Sequence, residues 1–311
     1  MKPSLENRIA LALAVLIFLL VVWGGVVHNT GSSLACPDWP TCYGSLMPEM
    51  KGGIAVEHGH RLLATGVGLL TVLLSVVLAK KRRDLRLWGY LAVFLVVFQG
   101  VLGGITVLYR LPTAVSTAHL ATSFAFFALV IFLALRTSPT WGGVTLRLSC
   151  AAGVSLLVYL QSVLGAFMRH TGAGLVCPDL PFCYGSPWPA DKPAILLLHM
   201  AHRWLGVVVA LAVLALPFLI HGGRARFLSL LACVLVVAQI GLGAASIMTH
   251  LGVAAVTAHL GGAALLWAVM VMLTLTPDPT PATPKGPRFA GGRGELIPVR
   301  EMTGEGPGVR A

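Results

Sequence analysis

The stretch IALALAVLIFLLVVWGGVV, Ile9–Val27, carries no charged residue. An apolar run of about 18 residues or more reads as a helix that crosses a bilayer. Seven further runs come after it, at His58–Ala79, Leu87–Leu108, Thr113–Leu135, Leu146–Met168, Ala194–Ile220, Phe227–Met248 and Gly252–Leu275. Composition agrees. Hydrophobic residues make up 57% of the chain and charged residues 11%, against roughly 25% charged in a soluble domain. The reading is an all-α integral membrane protein with eight transmembrane helices. Residues 276–311 change character, with Pro277, Pro279, Pro281, Pro284 and Pro287 among glycines and charges; they read as a disordered cytoplasmic tail.

The net charge of +11 raises nucleic acid as a partner, and its placement argues against one. Basic residues cluster at Lys2 and Arg8, at Lys80–Arg86, at Arg136 and Arg147, at Arg224 and Arg226, and along the tail. In an eight-helix topology all of these fall on one side. The other side has only Lys51, Arg110, Arg169 and Lys192 between its helices. Cytoplasmic loops are enriched in Lys and Arg, so both termini are expected in the cytoplasm. Ile9–Val27 is longer than the core of a cleaved signal peptide. The cysteine motif after it also recurs in mid-chain, where no signal peptide acts.

That recurrence is general. Cys36-Pro-Asp-Trp-Pro-Thr-Cys42-Tyr-Gly-Ser matches Cys177-Pro-Asp-Leu-Pro-Phe-Cys183-Tyr-Gly-Ser, and His60-Arg61 matches His202-Arg203. Gln99-Gly-Val-Leu-Gly matches Gln239-Ile-Gly-Leu-Gly, and Thr117-Ala-His119-Leu matches Thr257-Ala-His259-Leu. Four blocks in the same order predict two four-helix bundles, residues 1–140 and 141–275. Each unit has an even number of helices, so both run in the same direction and a pseudo-two-fold axis lies along the membrane normal.

Four histidines, His60, His119, His202 and His259, occupy matched places on even-numbered helices. An ionisable group inside a membrane helix is costly and marks a functional candidate. Two imidazoles on different helices of one bundle meet at its centre, and such a pair suits the axial positions of haem iron. The bland alternative, interhelical hydrogen bonding, is weakened by the repetition. Zinc would want about four clustered ligands, which two opposed histidines do not supply. His58 has no histidine counterpart and reads as a bystander. His28, His170, His221 and His250 fall at helix ends or in loops.

The sharpest asymmetry is Glu57, one turn before His60 on the same face, which becomes His199 in the second unit. A carboxylate beside a haem can move protons or steer substrate; a helix-start glutamate favoured by the dipole is the plain alternative. Arg61 and Arg203 are candidates for haem propionates, or simple interfacial arginines. Cys36–Cys42 and Cys177–Cys183 are expected as disulfides on the oxidising side. Their role is left open between structural closure and redox activity. Cys150 and Cys233 fall within helices and read as buried. Gly24, Gly25, Gly100, Gly103, Gly104, Gly165, Gly241 and Gly243 permit close approach of helices or of a planar cofactor.

The Glu-His-Gly-His-Arg block at 57–61, the paired Thr-Ala-His-Leu blocks and the doubled cysteine loops resemble the haem A synthase family, of the bacterial type with cysteine pairs in both halves. The resemblance covers roughly residues 8–275. It implies a plasma-membrane oxidoreductase that oxidises the C8 methyl of haem O to a formyl group, giving haem A for terminal oxidases. By motif, Glu57, His60 and His119 belong to the substrate site, and His202 and His259 hold a resident haem b. Haem O synthase and terminal-oxidase assembly are the implied partners, with an electron donor or acceptor besides. The competing classes are a di-haem b electron carrier and a haem transporter or chaperone.

Overall fold

The computed structural model describes residues 2–141 and 150–276. The expected tail beyond Thr276 and the segment with Arg147 lie outside the described residues. So do the first four residues of the run expected at Leu146–Met168. Among the described residues the protein is all-helical, with eight helices long and apolar enough to cross a membrane: α1 Leu5–Asn29, α2 Gly52–Lys81, α3 Arg86–Leu108, α4 Thr113–Thr137, α5 Cys150–His170, α6 Ala194–Leu219, α7 Gly223–Met248 and α8 Val253–Thr274. α8, with 22 residues, reaches about 33 Å, close to the thickness of a hydrocarbon core.

Helix ends differ from the apolar runs where polar residues join. α1 begins at Leu5 because the Ser4 hydroxyl accepts from Asn7 N at 3.3 Å, with Glu6 in the first turn; this is an N-cap with the acidic residue the dipole favours. α2 begins at Gly52, six residues before the expected start. His60 therefore lies more than two turns inside the helix rather than at its entrance. Cys150, expected buried, is exposed, and Cys233 is half-buried. Both lie on helix surfaces that an apolar lipid solvent tolerates.

α1 packs on α2 and α4, α2 on α3, and α3 on α4. The second set repeats this: α5 packs on α6 and α8, α6 on α7, and α7 on α8. Across the seam, α1 meets α8, α4 meets α5, and α4 meets α8. The pattern is compatible with two four-helix bundles, and the eight helices form one compact unit. α4 and α8 are the central pair, with 50% and 56% of their most apolar windows buried against 22–28% in the other six. They carry His119 and His259.

Lipid is as apolar as leucine, so burial alone holds such a bundle weakly; close packing and interhelical hydrogen bonds do more. Asn7 Nδ2 donates to Ala134 O at 2.8 Å, tying the start of α1 to the end of α4. The related corner of the second set joins Ser155 Oγ to Met270 O at 3.1 Å and to Thr274 Oγ1 at 2.8 Å. Across the seam, Trp267 Nε1 donates to Phe124 O at 2.9 Å. Bonds of this kind contribute about 0.6 kcal/mol each in a membrane.

Candidate functional site

Each of the four histidines on α2, α4, α6 and α8 faces a glycine on the helix that precedes it. A methyl group placed at Gly24 would lie 3.3 Å from His60 Nε2, and one at Gly103 would lie 3.5 Å from His119 Cε1. At Gly165 the distance to His202 Cε1 would be 2.8 Å, and at Gly243 the distance to His259 Cε1 would be 3.4 Å. A side chain at 165 would push the ring, one at 24 would press on it, and methyls at 103 and 243 would make ordinary contact. His60 and His119 lie within electrostatic reach of each other, as do His202 and His259. One such histidine–glycine set lies on each of the helix pairs α1–α2, α3–α4, α5–α6 and α7–α8, two in each half.

Glutamines fix the backbone under these rings. Gln99 Nε2 donates to His119 O at 3.1 Å, and Gln161 Nε2 donates to His202 O at 2.9 Å. With its amide turned as its neighbours require, Gln239 donates to His259 O at 2.9 Å. Each glutamine stands four residues before the facing glycine: Gln99 before Gly103, Gln161 before Gly165, and Gln239 before Gly243. At the corresponding place before Gly24 the chain has Leu20. Sequence reasoning found Gln99 and Gln239 and missed Gln161. The signal was present: Gln161-Ser-Val-Leu-Gly165 on α5 repeats Gln99-Gly-Val-Leu-Gly103 on α3, two helices out of step with the 140-residue repeat, which pairs α3 with α7.

The donor set suits haem. Nδ1 of His119 and Nδ1 of His202 are buried without a hydrogen-bond partner, and buried polar atoms rarely stay so unless a ligand, ion or water completes them. Two opposed imidazoles, with glycines clearing their edges, match axial ligation of a flat macrocycle. They do not match a tetrahedral zinc site. Among the described residues, the cluster with metal-ligand spacing is Cys36, Cys42 and His58, and its two sulfurs are joined in a disulfide.

The loops above the histidines are built alike. Cys36–Cys42 and Cys177–Cys183 are disulfides, as expected. Each continues into a tight turn whose central residues, Tyr43–Gly44 and Tyr184–Gly185, have positive φ. Asp38 accepts from Tyr43 N at 2.6 Å, from Gly44 N at 2.9 Å and from the Thr41 hydroxyl. The Thr41 and Gly44 donors hold its carboxyl down, to about 2. The support this gives the loop is present above the ordinary value of 3.8 and is lost only as pH falls towards about 2. Asp179 is held below the usual range by the Tyr184 and Gly185 amides.

The arginines clamp these loops from below. Arg61 Nη1 donates to Asp38 O at 2.7 Å and to Thr41 O at 2.5 Å. Arg203 donates to Asp179 O at 2.7 Å, to Phe182 O at 2.6 Å and to Cys177 O at 2.6 Å. Glu57 is buried, paired with Arg61 Nη2 at 2.6 Å, and its other oxygen accepts from Cys36 N at 2.8 Å. The carboxylate therefore links α2 to the disulfide loop. His199 is equally buried at its counterpart. His58, read as a bystander, is buried too, with Nε2 at 3.0 Å from Leu46 O. Its counterpart Met200 packs on the second disulfide.

The glycine contacts carry a stability prediction. Gly165→Ala forces the His202 ring to move, and overpacking of this kind costs about 1–3 kcal/mol. Gly66→Ala, where nothing lies within 4 Å of the new methyl, removes a helix-weakening glycine and stabilises by up to about 1 kcal/mol. Thermal unfolding in detergent should show shifts of opposite sign; a neutral Gly165→Ala would refute the close contact.

A profile of the COX15-CtaA family, described as cytochrome oxidase assembly protein, matches residues 7–271. Among curated relatives, the "Heme A synthase" of Lysinibacillus sphaericus is 31% identical, over 64% of this chain and 70% of its own. That of Shewanella oneidensis is 29% identical, over 86% of this chain and 94% of its own. That of Geobacillus kaustophilus is 26% identical, over 88% and 92%. With the profile spanning all eight helices and both histidine pairs, the chain belongs to the COX15-CtaA family of cytochrome oxidase assembly proteins.

Proposed function

We propose that this chain is a haem A synthase: a multi-pass membrane oxidoreductase that converts haem O to haem A by oxidising the C8 methyl to a formyl group. The observation that carries this reading is the doubled histidine pair, each ring cleared by a glycine, with Glu57 beside one pair and His199 beside the other. Counted with water as the oxygen source, methyl to formyl releases four electrons and four protons. The haem that the chain would bind would supply the redox chemistry, with the four electrons passed on to a separate acceptor.

The division of labour rests on the asymmetry. Residues 1–140 are the substrate unit, with His60 and His119 as ligands of haem O. Residues 141–275 hold resident haem b through His202 and His259. His202 and His259 each have a glutamine on the backbone carbonyl, which suits ligands that stay in place. His60 has Leu20 where the other three helix pairs have glutamine, so the first half has one such anchor, Gln99 on His119, and the second half has two. Glu57 is the catalytic carboxylate in this reading. Its ion pair with Arg61 and its bond to Cys36 N fix it one turn from His60. From there it acts on charge or protons released at the substrate methyl.

The chain is placed in the plasma membrane with both termini cytoplasmic and both disulfide loops outside, as the distribution of Lys and Arg supports. It receives haem O from a haem O synthase, passes haem A to terminal-oxidase assembly, and exchanges electrons with a separate partner. A cysteine introduced at Lys80–Arg86 should resist impermeant labels in intact cells; labelling there would invert the topology. The function itself is tested by haem extraction from cells that also express a haem O synthase. Haem A should appear only when this chain is present. Haem O alone would leave an electron carrier or a haem transporter.

A further inference from the structure

At the end of the bundle that carries the disulfide loops, the last turns of α1 and α5 meet. The rings of His28 and His170 pack edge-to-face with centroids 4.8 Å apart. Arg169 Nη2 reaches Asn29 Oδ1 at 3.4 Å, and Asn29 Nδ2 donates to Thr257 Oγ1 at 3.2 Å. The Thr113 hydroxyl donates to His170 O at 3.2 Å. Four helices of the seam, α1, α4, α5 and α8, thus converge on one cluster whose charged group is a guanidinium.

The cluster is incomplete. Arg169 Nε and His28 Nε2 are buried without a hydrogen-bond partner. A half-buried arginine without an anion is costly. Among the described residues, every carboxylate at this end is engaged elsewhere. Asp38 and Asp179 accept from their own loop turns, Glu57 pairs with Arg61, Glu49 with Lys51, and Asp191 with Lys192. Of the arginines expected to meet propionates, Arg61 spends Nη1 on loop carbonyls and Nη2 on Glu57, and Arg203 spends both terminal nitrogens on loop carbonyls. Arg203 Nε is also buried without a partner, but the terminal nitrogens of Arg203 are held by its own loop; Arg169 lies at the seam instead, where the Thr113 hydroxyl ties its neighbour His170 to the start of α4, the helix that carries His119.

We propose that Arg169, His28 and His170 form a carboxylate seat for a propionate of the haem held between His60 and His119. The guanidinium offers its fork to the carboxylate, and His28 Nε2–H adds a donor. This rests on the reading of the first half as a haem site. It would orient the macrocycle by its propionate edge and set that edge at the seam facing the second half.

The probes are iron protoporphyrin IX and its dimethyl ester, titrated into the purified full chain in detergent and followed by the Soret band. The wild type should bind the free acid about tenfold more tightly than the ester. Arg169→Gln should bring the acid down to the ester's level without changing the ester, and Arg169→Lys should keep part of the preference. An unchanged Soret band of resident haem b would show that the variants are folded. Equal affinity for acid and ester in the wild type overturns the seat without any variant, and so does a full preference retained by Arg169→Gln. A preference abolished by Arg169→Gln but indifferent to His119→Ala places the carboxylate at another haem and also overturns it. If neither probe binds, or both bind regardless of His119→Ala, the haem reading of the first half fails instead.

Discussion

Replacing His202 or His259 with alanine is expected to abolish the low-spin haem b spectrum of the purified protein. Both rings sit in pockets opened by a facing glycine, 165 and 243, and both are anchored through their backbone carbonyls by Gln161 and Gln239. Axial ligation by two histidines fixes the low-spin state, so losing either ligand leaves a five-coordinate or empty site. The loss should exceed tenfold in haem retained through purification, because a ligand's removal also leaves its partner imidazole unpaired in a buried place. His202→Ala and His259→Ala proteins that both keep full six-coordinate haem b would rule out the assignment. Stability must be followed alongside, since the alanine in place of a packed imidazole opens a cavity.

Glu57→Gln carries the second large effect. The substitution keeps the side chain's shape and one of its two acceptors, turns the amide NH2 towards either Cys36 N or Arg61 Nη2, and removes the charge that pairs with Arg61 at 2.6 Å. Breaking a buried pair from one side leaves the other charge uncompensated, at a cost of about 3–5 kcal/mol. Arg61 keeps its loop carbonyls, so the fold is expected to persist at a lower thermal midpoint. The haem b proposed for the second half should stay bound and reducible, because His202, His259 and the glutamines on their carbonyls are untouched. Haem A should fall by two orders of magnitude or more, within the range general acid–base groups contribute, while haem O and a partly oxidised alcohol accumulate. Normal haem A from a well-expressed Glu57→Gln protein would leave Glu57 as a clamp for the disulfide loop. Arg61→Lys separates the two roles: it loosens the loop carbonyls but keeps a cation for Glu57.

Much of this was legible in the sequence because lipid imposes simple rules. A backbone in hydrocarbon must satisfy its own hydrogen bonds, so each long apolar run becomes a helix, and all eight expected runs overlap one. The repeat made the histidine pairs visible, since an isolated membrane histidine has many explanations and a duplicated one has few. The sequence does not display which partners a polar side chain meets. Arg61 and Glu57 sit one turn apart, and spacing shows that they can pair. It does not show that a loop whose Asp38 and Thr41 lie 23 and 20 residues earlier folds back to occupy Arg61 Nη1. His28 and His170 read as helix-end bystanders because their contact joins positions 142 residues apart. The start of α2 escapes the apolar pattern for a related reason: Gly52-Gly53-Ile-Ala-Val at the membrane edge has no capping side chain, and Glu57 separates it from the next apolar residues. Tertiary contact with the loops gives that turn its place, as in the close approach of Gly53 to Ser32 and Ala35.

Oxidation of a methyl group to a formyl group changes the mass of the macrocycle, so weighing the substrate tests the chain's proposed chemistry most directly. Membranes containing the chain are incubated with haem O under turnover conditions, and the extracted macrocycle is analysed by mass spectrometry. The predicted product has gained one oxygen and lost two hydrogens, is reached through an alcohol that has gained one oxygen, and depends on His119 and Glu57. Haem O recovered unchanged, while the resident haem b is reduced and reoxidised normally, would contradict this and make the chain an electron carrier.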